Sequence, residues 1–259
     1  MKSKYPFVLV HGVALKDFLL FKAFGRIEKM LEDEGYRVRT VKTDAFGTIE
    51  NNAAQLKEDI QAFLRKTGAE KVNIIAHSKG GLDARYMIEH LGMEDAVASL
   101  TTLCTPHRGA ALASRILHLP GFVLRILDCL INLVYRIGGD KRPAALAVCR
   151  QLQAVPEDKT VVLHVSDKVY CQSYSAVLEK KRLDFVMDVP LMYFKTFENG
   201  PSDGMVSVES AKYGNYRGEC MEESVSHSEI VDFGTKKKKK EKVFLFYKRL
   251  CAELAEDGF

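Results

Sequence analysis

The chain has 259 residues, of which 47% are hydrophobic and 28% charged, and its formal net charge is +4. These values are those of an ordinary globular protein with ample length for a buried core. The five lysines of Lys236–Lys240 alone carry slightly more positive charge than this net value, so the rest of the chain is close to neutral. A nucleic-acid binder spreads basic residues over a face, and we therefore expect no nucleic-acid partner.

The cysteines and the first residues exclude further classes. Six cysteines occur singly, without a CxxC pair or a close histidine, so we interpret them as buried small hydrophobic residues or free thiols rather than zinc ligands or a disulfide framework. Met1–Pro6 lead directly into an apolar strand without the features of a signal peptide, and no run of about 18 apolar residues could span a bilayer. We expect no transmembrane segment, and a cytoplasmic location unless an export signal was trimmed.

Strand and helix patterns alternate along the chain. In chain order the predicted elements are a strand over Phe7–Val10, a helix over residues 18–34, a strand over Tyr36–Val41, a helix over Asn51–Lys66, a strand over Val72–Ala76, a helix over Leu82–His90, and strands over Ser99–Thr105 and Thr160–Ser166. This alternation predicts a mostly parallel sheet covered by helices on both faces. With neither an internal repeat nor an interdomain linker, we expect residues 1–259 to form a single α/β domain.

The segment from Lys71 to Gly81 carries the most specific local signal. A β-branched apolar stretch runs into Ser78, which has Ala76 two places before it and Gly80 two places after it. Strand, sharp turn, serine and helix in this order form the nucleophile elbow of the α/β-hydrolases, because only small residues fit two places either side of the serine. Such a turn holds the hydroxyl above the sheet, at the positive end of the following helix.

Residues 110–155 interrupt the alternation and include the most apolar long segment of the chain. Breaks at Pro120–Gly121 and Gly138–Gly139 predict two or more helices inserted after a core strand. One interpretation is additional core packing. The other is a lid whose apolar face closes over an acyl pocket in water and swings outward at a lipid surface.

A serine becomes a strong nucleophile when a histidine accepts its proton, and in this fold an acid and then a histidine follow the serine along the chain. Of the histidines after Ser78, one lies well down the elbow helix, one precedes any plausible acid, one is in the insert and one is in the middle of a strand: His90, His107, His118 and His164. His227 lies on a short loop before the last helix. Position alone favours His227 as the base.

Two acids compete for the third position. Asp167 ends the strand over Thr160–Ser166, where many hydrolases of this fold place the carboxylate. Asp203 lies in a turn-rich loop 24 residues before His227. Aspartate is also a common turn former in loops of glycine, proline and serine, so these residues alone leave both acids open.

Five ordered segments together resemble the bacterial triacylglycerol lipases of the true-lipase family: Tyr5–Gly12, Val72–Tyr86, Ser99–Gly109, Ser202–Val206 and His227–Val231. The resemblance covers most of the chain outside the insert. It implies an α/β-hydrolase fold and a serine ester hydrolase that cleaves fatty acyl esters through an acyl-enzyme. It also implies that Ser78, Asp203 and His227 form the catalytic triad, and that the backbone N–H groups of Val13 and Lys79 form the oxyanion hole.

The chain departs from the family pattern in places. Ala76 stands where glycine is usual and Lys79 where glutamine is common, and a cation at a helix start is slightly unfavourable. The resemblance requires no organic cofactor. Some members bind a structural calcium ion through an aspartate two residues after the histidine. Here that residue is Glu229, with Asp184 or Asp188 as candidates for a second oxygen, and no calcium ligand set is assigned.

Other functions remain open at this level. Within the same class, the alternatives are a phospholipase-like enzyme, a short-chain carboxylesterase, or an acyltransferase in which an alcohol replaces water. An alternative from a different class is a catalytically silent hydrolase fold that serves as a binding module, although the intact serine, aspartate and histidine argue against it.

We expect a lipid or acyl-ester substrate, and peripheral contact with a lipid surface through the insert. The lysine run is interpreted as a solvated loop and helix start or as a site of attraction to anionic lipid. His11 either shapes the oxyanion loop or simply ends its strand.

Overall fold

Parallel β-strands form the centre of the protein. The computed structural model describes residues 2–13, 22–155, 166–178 and 200–259. Within these residues the sheet has the order β2-β1-β3-β4-β5-β6, and every pair of neighbours is parallel. Its strands are β1 (Phe7–Val10), β2 (Val38–Thr40), β3 (Val72–His77), β4 (Val97–Leu103), β5 (Tyr170–Ser175) and β6 (Asn215–Glu219).

Helices lie between and after the strands. They are α1 (Ile27–Asp33), α2 (Ile49–Thr67), α3 (Lys79–His90), α4 (Ala111–Ile116), α5 (Gly121–Ile137), α6 (Ala145–Gln151), α7 (Val208–Ala211) and α8 (Lys237–Glu256), with short 3₁₀ turns at Glu94–Ala96 and Glu229–Val231. The predicted α/β class with a mostly parallel sheet is confirmed. Most of the strand predicted over Thr160–Ser166 lies outside the described residues, and β5 and β6 were not predicted from the sequence.

Alternation along the central strands divides the core into two layers. Phe7, Leu9 and Ile75 pack on the face covered by α1 and α8, whereas Val8 and Ile74 pack on the face covered by α2 and α3. Successive residues of a strand point to opposite faces, so a strand with helices on both sides must be apolar throughout. This explains why β1 reads as a continuous apolar run rather than as an alternating one.

The longest helix on the second face has clear end signals. The Thr48 side chain accepts a hydrogen bond from the Asn51 N–H at 3.4 Å, and α2 ends at Gly68, which has φ of 67°. Both are typical of helix termini, since the threonine oxygen satisfies a free N–H group and glycine adopts the left-handed region without strain. Leu56 and Ile60 are fully buried between α2 and the sheet.

The strand order positions the functional edge. The chain passes from β1 to β2 on one side and then to β3 on the other side of β1, so the connections diverge between β1 and β3. Ligands of open α/β sheets bind at the carboxyl ends of the strands, at such a switch point. His11–Gly12 follow β1 and Ser78 follows β3, so both lie at this point of the sheet.

The helical insert follows β4 and consists of α4, α5 and α6. The polar side of α5 is attached to the start of α6, because Asp128 Oδ1 accepts a hydrogen bond from Leu146 N and Asn132 Oδ1 accepts one from Ala145 N, each at 2.8 Å. The other side of α5 is apolar and open to solvent; its exposed large hydrophobic residues are Phe122, Ile126, Leu127, Leu130, Leu133, Val134 and Ile137.

The outward-facing apolar side of α5 is not packed as additional core would be, and it is not turned inward as in a closed lid. The lid interpretation of the insert stays a prediction. None of the helices within the described ranges is long and apolar enough to cross a bilayer.

Candidate active site

Ser78 occupies a strained turn between β3 and α3. Its φ and ψ are 56° and −133°, a conformation that non-glycine residues rarely adopt. The turn is packed against the end of β1. A Cβ atom on Gly12 would lie 2.5 Å from Ser78 Cβ, and one on Gly80 would lie 2.4 Å from the His11 carbonyl oxygen. Glycine is therefore required at both positions, which agrees with the predicted elbow.

Ser78, His227 and Asp203 form a continuous hydrogen-bond chain. His227 Nδ1 lies 2.6 Å from Asp203 Oδ2, and His227 Nε2 lies 2.9 Å from Ser78 Oγ. A carboxylate only accepts, so Nδ1 carries the proton, and Nε2 then accepts the hydrogen bond from the serine hydroxyl. The resemblance implied that these three residues act together, and the structure brings them into this contact.

The loop around Asp203 holds the carboxylate from behind. Asp203 is 1% exposed, and its Oδ1 accepts hydrogen bonds from the N–H groups of Met205 at 2.9 Å and Val206 at 2.8 Å. Gly204 has φ of 97°, which allows the chain to turn tightly enough for both bonds. Oδ1 is thus engaged by the backbone, and Oδ2 faces the imidazole of His227.

Asp167, the competing acid, lies at the other end of the sheet. It is exposed and precedes β5, so it lies by the amino ends of the strands, whereas Ser78 follows the carboxyl end of β3. Its neighbour Lys168 pairs there with Glu94 and Asp95. Asp167 is therefore not part of the site, and the carboxylate beside His227 comes from the turn-forming loop of Asp203 instead.

His11 fixes the peptide that carries one predicted oxyanion donor. The ring is buried, its Nδ1 donates to the Gly12 carbonyl oxygen at 2.9 Å, and its Nε2 accepts from Thr43 Oγ1 at 3.3 Å. In a trans peptide the C=O and N–H groups point in opposite directions, so holding the Gly12 oxygen also orients the Val13 N–H. Of the two interpretations of His11, the structure supports a role in shaping this loop.

Lys79 begins α3 directly after the serine. The Ser78 side chain bonds to His227 instead of capping the helix, so the first-turn N–H groups are not satisfied by a serine cap. Such N–H groups carry partial positive charge and face developing negative charge favourably. The Lys79 side chain turns away into the interior, where it is 1% exposed.

His77, the residue before the serine, was not singled out from the sequence. It is fully buried, and its ring centroid lies 4.5 Å from that of His227. Neither ring nitrogen has a hydrogen-bond partner among the described residues. Burial, and then the proximity of His227, lowers the pKa of His77 well below its usual value. His77 is therefore a neutral ring that packs against the imidazole of His227.

Cys104 was also missed, although it lies against the triad. It is buried with φ of 52°, and its sulfur lies within 4.8 Å of ligand atoms of Asp203 and His227. These three form the one close group of potential metal ligands in the part of the chain that is described. Contact with Cys220, burial and the charge of Asp203 raise the pKa of the Cys104 thiol well above its usual value. A protonated thiol beside an aspartate and histidine that bond to each other does not fit a metal site.

Glu229, the residue considered for calcium, is already paired with a cation. Its Oε2 accepts from the Ser226 N–H at 3.1 Å and forms a mostly buried ion pair with Lys239. The ammonium neutralises this carboxylate, so Glu229 does not fit a calcium ligand. Asp184 and Asp188 lie outside the described residues.

The lysine run is only partly solvated, because Lys239 is buried whereas Lys236–Lys238 are exposed.

The remaining histidines lie apart from the serine. His90 is exposed at the end of α3 and His118 is exposed in the insert. His107 is buried, with Nε2 3.1 Å from Thr102 Oγ1 and Nδ1 accepting from Arg85, and burial lowers its pKa well below the usual value. It is therefore a neutral core residue. His164 lies outside the described residues.

Comparisons with known proteins agree with this geometry. The profile of the family described as palmitoyl protein thioesterase matches residues 6–170. Triacylglycerol lipase 2 of Saccharomyces cerevisiae is 28% identical over 252 residues, which cover 90% of this chain and 73% of the yeast protein. A triacylglycerol lipase of Vibrio cholerae is 36% identical over 113 residues, which cover 43% of this chain and 36% of that protein.

Solved structures show the same fold. The lipase of Staphylococcus hyicus superimposes with a TM-score of 0.68 at 15% identity, covering 98% of this chain and 96% of that one. The resemblance to lipases of the α/β-hydrolase superfamily is thus confirmed. The profile match spans more than half of the chain and includes the elbow. The chain therefore belongs to the palmitoyl protein thioesterase family, within the α/β-hydrolase superfamily that also contains the lipases.

Proposed function

We propose that this protein, a serine ester hydrolase related to the triacylglycerol lipases, uses Ser78, His227 and Asp203 as its catalytic triad and cleaves fatty acyl esters. The observation that carries the proposal is the hydrogen-bond chain from Asp203 through His227 to Ser78, with distances of 2.6 and 2.9 Å. A core histidine needs only one such partner, whereas a base requires an acid on one nitrogen and the nucleophile on the other.

Acylation begins when Ser78 Oγ attacks the ester carbonyl carbon and His227 Nε2 accepts the hydroxyl proton. Asp203 stabilises the imidazolium that forms. The carbonyl electron pair moves onto oxygen, which receives hydrogen bonds from the N–H groups of Val13 and Lys79. When the tetrahedral intermediate collapses, the C–O bond to the alcohol breaks, and His227 returns the proton to the leaving oxygen.

Deacylation repeats these steps with water. His227 Nε2 accepts a proton from water as the water oxygen attacks the acyl carbon. When the second tetrahedral intermediate collapses, the bond from the acyl carbon to Ser78 Oγ breaks, His227 returns the proton to Oγ, and the fatty acid leaves. Three side chains and two backbone N–H groups carry every proton and charge in this cycle. We accordingly propose that the reaction requires no organic cofactor and no metal.

The substrate class is proposed from the relatives. The yeast and bacterial relatives are named triacylglycerol lipases, which supports long-chain acyl esters of glycerol as substrates. A second candidate is a long-chain acyl thioester, supported by the description of the matched family. The same triad cleaves either bond, because the leaving group is a thiol in one case and an alcohol in the other.

We propose that α5 contacts the lipid surface directly. Its seven exposed large apolar residues recur mainly at intervals of three and four, so they form one stripe along the helix. Covering apolar surface stabilises binding by roughly 25 cal/mol per Å². The insert follows β4 at the carboxyl edge of the sheet, the edge where Ser78 lies, so binding through α5 brings that edge toward lipid.

Ser78→Ala should abolish ester hydrolysis without unfolding the protein. Removal of a triad nucleophile lowers turnover by about 10⁶-fold, whereas the hydroxyl contributes little to packing. The measurements are p-nitrophenyl ester hydrolysis, labelling by a fluorophosphonate, and the thermal unfolding midpoint. A folded variant that keeps a tenth of the wild-type rate would contradict the assignment, and an unlabelled wild type would favour a silent binding module.

Asp203→Asn should reduce kcat by roughly 10⁴-fold, because its amide N–H₂ favours the wrong tautomer of His227. Asp167→Asn is the matched control and should leave kcat unchanged, since Asp167 lies at the opposite edge of the sheet. Both variants are to be compared at equal folded fraction by circular dichroism. A larger loss in Asp167→Asn would assign the acid to that residue.

Ile126→Ser/Leu130→Ser should weaken hydrolysis of a long-chain ester emulsion while leaving hydrolysis of dissolved butyrate ester unchanged. The two substitutions interrupt the exposed stripe of α5, at sites that are 55% exposed. Leu245→Ser is the control, because Leu245 is 66% exposed on α8 and lies outside the stripe. Equal losses on emulsion and dissolved ester would mean that α5 does not contact lipid.

Matched palmitoyl oxyester and thioester substrates should distinguish the two candidate substrate classes. We expect the higher kcat/KM for the oxyester, with both reactions lost in Ser78→Ala. The assay follows fatty acid release from the two substrates at the same micelle concentration. A higher kcat/KM for the thioester would instead support the second candidate.

A further inference from the structure

A buried ion pair lies in the first turns of α3, immediately after the nucleophile. Lys79 Nζ is 2.6 Å from Asp83 Oδ1, and both side chains are 1% exposed. Transfer of two charges from water into a protein interior has a large desolvation cost, and apolar residues of similar volume often stabilise a fold as well or better. Stability alone therefore does not explain a lysine at this position.

The pair is anchored to the neighbouring helix. Asn52 on α2 donates through Nδ2 to Asp83 Oδ2 at 3.1 Å and to the carbonyl oxygen of Asp44 at 2.8 Å. One oxygen of Asp83 thus holds Lys79 and the other is held by α2. The ammonium of Lys79 is consequently attached to a fixed point rather than to a mobile surface group.

The first turn of α3 also has no room on its other sides. A Cβ atom on Gly80 would lie 2.4 Å from the His11 carbonyl oxygen, and one on Gly81 would lie 2.1 Å from Thr105 Oγ1. The His11 carbonyl group after β1 and the Thr105 side chain after β4 resist inward movement of the turn. The Lys79–Asp83 pair supplies the restraint toward α2.

One segment of chain contacts both sides of the proposed oxyanion hole. Thr43 bonds to His11 Nε2, and His11 fixes the Gly12–Val13 peptide. Nine residues later, Asn52 bonds to Asp83, which holds Lys79. The residues that hold the two N–H donors, His11 on one side and Asp83 on the other, therefore both bond to the segment of residues 43–52.

We propose that the side chain of Lys79 is a positioning residue, which acts through Asp83 to hold the backbone N–H of residue 79 in place for the oxyanion. This inference rests on the proposed function. The lysine carries no proton in the reaction, and its charge is balanced by Asp83. Its contribution is geometric: an oxyanion hole stabilises charge only when its donors are already in place, and small displacements at an active site are costly.

The test replaces both charges with apolar groups of similar size. Lys79→Met/Asp83→Leu keeps the backbone donor and avoids leaving either charge buried alone. We expect kcat to fall by about 10- to 100-fold with KM changed by less than about twofold. The affinity for an alkyl boronic acid, whose adduct with serine resembles the tetrahedral intermediate, should weaken by the same factor. The thermal unfolding midpoint should not decrease.

Lys29→Met/Asp33→Leu is the matched control, since it makes the same change in an exposed pair with the same spacing on α1. It should leave kcat, KM and boronate affinity unchanged. If the buried double variant does not fold, the isosteric Asp83→Asn gives the same comparison, and we expect a smaller loss in kcat and boronate affinity with unchanged KM.

Unchanged kcat and boronate affinity in a folded variant would overturn the inference, as would a loss confined to KM. Both results require an active wild type whose activity disappears in Ser78→Ala, so they leave the proposed function intact. A wild type that neither hydrolyses esters nor reacts with a fluorophosphonate would instead refute the proposed function, and this inference with it.

Discussion

The close approach of the β3–α3 turn to the end of β1 is the constraint on which the site depends. Gly12 and Gly80 have no side chains, and only for that reason does backbone meet backbone next to Ser78. The contact sets the position of the serine hydroxyl and places the Gly12–Val13 peptide beside it. His227 and the loop of Asp203 are arranged around Ser78, the proposed nucleophile.

Asp203 and His227, the proposed acid and base, reach Ser78 from the last quarter of the chain. His227 precedes a 3₁₀ turn, and Asp232 at the end of that turn accepts three hydrogen bonds from Arg26 just before α1. On the other side, Glu229 is paired with Lys239 at the start of α8. Two ion pairs thus hold the histidine loop against the same face of the sheet, and the neutral ring of His77 packs against its imidazole.

Much of this arrangement follows from local patterns. The strands β1, β3 and β4 and the amphipathic α2 were predicted, as was the serine of the elbow. By contrast, β5 and β6 carry polar residues such as Gln172 and Arg217, so no hydrophobic pattern marks them as strands; they are held by pairing with the rest of the sheet. From the sequence, the choice of Asp203 over Asp167 rested only on the resemblance, because a turn-forming aspartate and a catalytic aspartate occur in the same kind of loop sequence. Burial of Lys79 depends on α2, which no spacing within α3 reveals.

The bonds between α5 and α6 have a consequence for how the enzyme meets its substrate. Asp128 and Asn132 satisfy the first free N–H groups of α6, so rotation of α5 alone, without α6, would leave those groups without their acceptors. In this structure the insert therefore exposes its apolar face to solvent. With the lipid contact proposed for α5, we expect the protein to act as a wetting agent that adsorbs to an oil droplet without a lag, and to be lost on plastic and air–water surfaces through the same stripe.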